Sequence, residues 1–220
     1  MGASGGFPVD LVLFGMIAAF LVLRLRSILG RRQGFERPEV PRPAAAPRVA
    51  EAPVIDGVAE RPPARPLPDP ASPAGQAFAR MQRVDPQFSA ARFLDGAEAA
   101  FRMIVTAFAA GDRERLRPLL SPDTFRDFDQ AIATREQAGD TQRTEVRAIP
   151  SATIEAADLR GSIADITVRI VTDQVNITMA KDGSVQSGTD AVTEIVDLWT
   201  FERDLATADP TWRLVAARSA

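Results

Sequence analysis

The sequence predicts an α+β domain in which helices pack on one face of a curved antiparallel sheet, and three observations carry that expectation. Apolar residues recur at three- and four-residue spacing between Phe88 and Ala110, the period of an amphipathic helix. Beyond Glu145 the period drops to two, first in Ile163–Ile170 and again in Val175–Met179. The helical segments precede the strands, an order that gathers helices on one side of an antiparallel sheet.

Each element follows from its residues. Phe93, Ala97, Ala100, Phe101, Ile104, Val105 and Phe108 supply the apolar face of the long helix, which Gly111-Asp112 ends. Asp112 is placed to cap a short helix over Arg113–Leu120. Ser121-Pro122-Asp123 then opens another: a hydroxyl cap, a proline in the first turn and a carboxylate that suits the helix dipole. Phe125, Phe128 and Ile132 line it to about Gln137, and Gly139-Asp140 closes it. Lys181-Asp182-Gly183-Ser184 signals a hairpin turn. Thr193–Glu202, with Trp199 and Phe201, reads as a long strand that is apolar on both faces. Thr211–Ala217 is the last strand, entered through Asp209-Pro210. A curved sheet of this kind, covered by helices, is expected to leave a cone-shaped apolar cavity.

Composition divides the 220 residues into three parts. Residues 1–32 hold the apolar run Leu11–Leu23, which reaches membrane-spanning length when extended from Phe7 to Leu25. No basic residue precedes it, whereas Arg24, Arg26, Arg31 and Arg32 follow, the reverse of a signal peptide. The expectation is a membrane anchor with the N-terminus outside and the C-terminal domain cytoplasmic. A bacterial inner membrane is the natural setting, and a mitochondrial matrix face obeys the same physics. Residues 33–75 form a linker: 11 of the 17 prolines fall between Pro38 and Pro73, too few large apolar residues among them to offset the entropy of ordering. Residues 76–220 are the globular domain, expected to fold alone.

Composition also excludes chemistry. The chain has no cysteine, histidine or tyrosine. Thiolate metal sites, cysteine nucleophiles and every serine–histidine or cysteine–histidine arrangement are absent. A net charge of −3 gives no footprint for nucleic acid. Asp112, Asp123, Asp127 and Asp129 lack the spacing of a calcium loop. The expectation is a protein that is not an enzyme and carries no cofactor and no metal.

Several motifs carry a resemblance. They are Asp85-Pro86-Gln87-Phe88 with Phe93-Leu94, then Ala99-Ala100-Phe101, Ile104, Phe108 and Gly111-Asp112. Leu119-Leu120-Ser121-Pro122 with Phe125 and Phe128 follows, and then Val196, Asp197, Trp199-Thr200-Phe201, Arg203 and Pro210, Trp212, Leu214-Val215. In order and spacing these resemble the Tim44/TimA family over about residues 76–220. The resemblance implies a nuclear-transport-factor-two-like fold. It also implies an adaptor or scaffold role, since mitochondrial members dock a seventy-kilodalton heat-shock chaperone at the inner-membrane protein translocase. Bacterial members begin with a short anchor and a variable linker. The long N-terminal region that the mitochondrial scaffold uses toward its partners is not matched, so chaperone docking is not carried over.

Candidate sites follow. Ile166, Val168, Ile177, Met179, Val196, Leu198 and Trp199 are expected to line an apolar pocket, with Met179 as a pliable wall. Phe78, Arg80, Met81 and Arg83, where linker meets domain, form a short basic and apolar stretch suited either to an anionic membrane surface or to packing on the domain. Asp197, Trp199 and Arg203 are the densest polar-aromatic cluster, in which Asp197 and Arg203 either hold a polar ligand or, as is favoured, pair with neighbours across the sheet around a core Trp199. The expected partners are the bilayer and a protein, of translocase or chaperone type. Two other roles remain open: an anchored module for a lipid or other apolar ligand, and a type IV secretion bridge component. The second needs its domain outside the cytoplasm, against the four arginines.

Overall fold

The structure, a computed structural model, describes residues 66–220. The expected span, its basic flank and the linker up to residue 65 lie outside the described residues. Among the described residues four helices precede four strands: α1 (Pro73–Val84), α2 (Ala90–Ala110), α3 (Arg113–Leu116), α4 (Pro122–Ala138), β1 (Thr141–Arg160), β2 (Ile163–Met179), β3 (Val185–Asp204) and β4 (Arg213–Ser219). The strands form one antiparallel sheet in the order β1-β2-β3-β4. Among the described residues no helix is long and apolar enough to cross a membrane.

The helix ends follow the chemistry expected of them. The Ser72, Ser89 and Ser121 side chains each accept a hydrogen bond from a first-turn N–H, and Asp112 does the same for α3. Gly111 and Gly139 close α2 and α4 with φ of 69° and 76°, the left-handed conformation that a Cβ disfavours. Helix α1 begins at Pro73, so the domain starts three residues earlier than its expected boundary at 76. The expected helix over Arg113–Leu120 is a single turn ending at Leu116, followed by irregular backbone that brings Leu120 beside Leu214.

The strands are longer than their alternating segments. Ile163–Ile170 and Val175–Met179 belong to one 17-residue strand, because polar Thr172 and Gln174 keep the alternation inside it. Both are buried, with the Gln174 amide donating to the Thr172 hydroxyl at 3.0 Å. Strand β1 shifts register at Val146/Ala148, Ala148/Ser151 and Ile154/Ala156, each an irregularity that bends the strand locally. Strand β3 bulges where Gln174 pairs with Thr193 but Asn176 pairs with Thr189. Gly188 sits there at φ 80°, and a Cβ on it would fall 2.0 Å from the Asn176 carbonyl oxygen.

The sheet has two distinct faces. Ala164, Ile166, Val168 and Ile170 of β2 and Trp199 and Phe201 of β3 turn toward the helices and join Phe93, Leu94, Phe101 and Ile104 of α2 in the core. A run of rings threads this core: Phe101–Trp199 (4.6 Å between centroids), Trp199–Phe201 (6.2 Å), Phe201–Phe93 (6.0 Å) and Phe93–Trp212 (4.8 Å). It continues through Phe88 to Phe78. Arg135 of α4 ties the layers together, donating to the Phe108 and Ala109 carbonyls at the end of α2 and to Gln142 of β1.

Candidate functional site

A cleft of about 660 Å³ opens between the α1–α2 connection, the first half of α2 and the β3–β4 loop. Two Asp-Pro dipeptides mark its walls, Asp85-Pro86 on the helical side and Asp209-Pro210 on the sheet side. Its rings are Phe88, Phe93, Phe201 and Trp212, and Met103 at its rim is 43% exposed. Phe88 and Phe93 pack at 6.2 and 4.8 Å from the Trp212 ring, so ring–ring contacts shape the apolar wall.

Arg203 is the polar centre of the cleft. Its guanidinium donates to Asp85 at 3.2 Å and to the Asp209 carbonyl at 3.1 Å, tying both Asp-Pro walls to β3. The ion pair is largely removed from water, with side chains 15% and 17% exposed. Asp209 in turn accepts from the Thr211 side chain and N–H and from Arg213, which hold its carboxyl down at about 2. Arg92 completes the helical wall, donating to the Gln87 carbonyl at 2.6 Å. Among the described residues every buried side-chain nitrogen or oxygen has a partner.

This cleft is not the expected pocket. Ile166, Val168 and Trp199 are buried in the core with their faces to the helices, whereas Val196 and Leu198 alternate to the opposite face of β3. Ile177 and Met179 lie at the far end of β2, opposite Arg143 and Thr141. A period of two sends neighbouring strand residues to opposite sides, so Val196 and Leu198 cannot share a cavity with Trp199. Of the two readings of the stretch at Phe78–Arg83, packing on the domain is the one the structure shows for its apolar residues, and the membrane-surface reading of Phe78 and Met81 is corrected. Phe78 and Met81 are buried against the sheet, and only Arg80 and Arg83 remain exposed, Arg80 beside Asp158 at 3.4 Å. The three- to four-residue helical spacing puts Ala77, Phe78 and Met81 on one inward face.

Asp197, Trp199 and Arg203 share the helix-facing side of β3 but do not form one cluster. Asp197 bonds to its cross-strand neighbour Ser219, as expected, but Arg203 does not pair across the sheet. Arg203 reaches Asp85 on the helical layer, while Asp197, opposite Ile170, accepts only from the Ser219 hydroxyl at 3.3 Å. Burial pushes the Asp197 carboxyl from 3.8 up to about 6, and the Ser219 bond only partly opposes it. The sign follows from linkage. Between about pH 4 and 6 the unfolded chain has released this proton and the folded chain retains it, so stability falls as pH rises through that window. Asp197→Asn is therefore expected to gain about 2 kcal/mol at neutral pH and to lose this limb of the pH–stability curve. Chemical denaturation of both proteins at pH 4, 5, 6 and 7 checks it, and parallel curves would refute it.

Sequence reasoning named Phe88, Phe93, Arg203 and Trp212 as motif residues and missed that they meet. The usable signal was the pair of Asp-Pro dipeptides, each followed two positions after its proline by an aromatic residue.

Helices on one face of an antiparallel meander, with an aromatic cleft at one end, define a two-layer α+β domain. The chain belongs to the Tim44-like domain family, whose model matches residues 74–219. No curated protein matches the chain. Among solved structures it is similar to the intermembrane space region of the chloroplast protein ARC6, at 9% identity and a TM-score of 0.42, over 57% of this chain and 95% of that one. A conserved protein from Planctomyces limnophilus aligns at 16% identity and a TM-score of 0.32, over 56% of this chain and 94% of that one. A de novo designed β-sheet protein aligns at 17% identity and 0.30, over 58% and 88%. None of these likenesses carries a functional reading.

Proposed function

We propose that this chain is a membrane-anchored, non-catalytic adaptor whose Tim44-like domain holds an apolar segment of a partner protein in the Phe88–Trp212 cleft. The cleft carries the reading: a preformed aromatic wall with a self-satisfied ion pair at its centre suits the burial of apolar groups. An acid–base site is not favoured, because the carboxyl that burial raises to about 6, Asp197, lies away from the cleft lining. Family membership and the apolar run over Phe7–Leu25 support an anchored scaffold. Strands of 17 to 20 residues with repeated register shifts, helices on one side, support the nuclear-transport-factor-two-like cone. The proposed setting is a bacterial inner membrane with the domain cytoplasmic. A lipid or other apolar ligand is the second reading, favoured by the cleft's size, which lies within the range of small-molecule pockets.

A photo-crosslinking residue in place of Met103, in the full chain within native membranes, tests the cleft. A protein adduct that Trp212→Ala abolishes is the expected result. A lipid adduct transfers the site to the second reading, and no adduct overturns both. Topology is checked separately: a periplasm-dependent phosphatase fused after Ala220 is expected to be inactive. Activity there would reverse the orientation and favour the secretion-bridge role.

A further inference from the structure

Two buried apolar residues stand outside the core. Val175 and Leu198 are 2% and 9% exposed, yet neither joins the cluster that packs under the helices. Register explains why: Val175 lies opposite Glu145, and Leu198 opposite Arg169, on the side of the sheet turned away from the core that the described helices pack against. Half-buried Val171 and Val196 are cross-strand partners between them. Charge is ordered around this Val171–Val196 row. On one side of it lie Arg169 and Arg218, in register with Leu198, and on the other lie Asp173 and Glu194, in register with each other. None of these four charged residues forms an ion pair or side-chain hydrogen bond among the described residues. Arg169 and Asp173 are half-buried all the same.

An apolar row with cations along one edge and anions along the other is self-complementary. A two-fold axis running across the strands through Val171 and Val196 turns the strand direction over. It sets Arg169 of one copy against Asp173 of the other, and brings Glu194 over Leu198, one strand away from Arg218. We propose that this outer sheet face is the interface for a second copy of the same chain, packed sheet on sheet. A closed two-fold dimer needs one patch that complements itself, which a patch of single charge sign cannot do. The face between Thr167 and Ile177 is three strands wide, with β4 reaching it only near Ser219, and spans about 500 Å² per copy at usual strand dimensions, so the pair buries about 1,000 Å², the threshold of a specific interface. The cleft lies at the other layer and stays open in such a dimer.

The absence of cysteine makes the test direct. In membranes holding the full chain, Val171→Cys is expected to give a dimer with a short bismaleimide, and Val196→Cys, on the same row, is expected to do likewise. Arg126→Cys, on the exposed side of α4, is expected to stay monomeric. In the Val171→Cys background, Arg169→Asp or Asp173→Arg alone is expected to abolish the dimer, and the two together to restore it. Thermal melts by circular dichroism establish that each variant is folded. Folded Val171→Cys and Val196→Cys proteins that both remain monomeric overturn the proposal. So does an adduct of any mass other than two chains, or a folded double swap that fails to recover the dimer.

Discussion

Trp199→Ala is expected to lower the unfolding free energy by about 3–5 kcal/mol, the usual cost of deleting a large aromatic side chain from a packed interior. Trp199 is 5% exposed and lies between Phe101 of α2, at 4.6 Å, and Phe201 of its own strand. Its cross-strand neighbour is Val168, which is fully buried. A small residue here would leave the α2–sheet contact with a void that neither rigid layer can close. Urea denaturation followed by circular dichroism checks it, and a loss below about 1 kcal/mol would show that the ring is not part of the stabilising core.

Asp85→Ala is expected to cost about 3 kcal/mol, because it strands the Arg203 guanidinium in a site that is mostly closed to water. The same carboxylate also accepts from the Gln87 N–H, so the α1–α2 connection loosens with it. Adding Arg203→Met removes the stranded charge and is expected to return most of the loss. A double variant no more stable than Asp85→Ala would mean that the loop bond, not the ion pair, carries the energy. Denaturant midpoints of the two variants and the parent decide between these outcomes.

Much of the helical layer was legible, because capping chemistry is local. Ser121-Pro122 and Gly139 fix the ends of α4 within a few residues of chain, and the structure places those ends at Pro122 and Ala138. The class of the sheet was legible from alternation, and the hairpin at Lys181–Ser184 closes as expected, with Ala180 bonded to the Ser184 carbonyl. Strand lengths were not. Thr141–Glu145 alternates polar with polar, and Thr172 and Gln174 interrupt an apolar run while facing inward, so neither stretch advertises a strand. The expected pocket failed for a different reason. Its members were chosen for being apolar, but facing depends on register, and both sides of this sheet carry apolar residues. The cleft needs residues more than a hundred positions apart, as with Asp85 and Arg203, and only the tertiary fold joins them.

The ring sequence that runs from Trp199 to Phe88 has an optical consequence. The chain holds two tryptophans and no tyrosine, so excitation at wavelengths too long for phenylalanine draws emission from two indoles alone. One is sealed beneath α2 and the other forms a wall of the cleft. Trp199 therefore emits at the blue end and changes only when the layers separate, whereas Trp212 is accessible to a quencher and shifts when the cleft fills. Trp199→Phe and Trp212→Phe variants split the spectrum into a gauge of cohesion and a gauge of occupancy, with no dye attached.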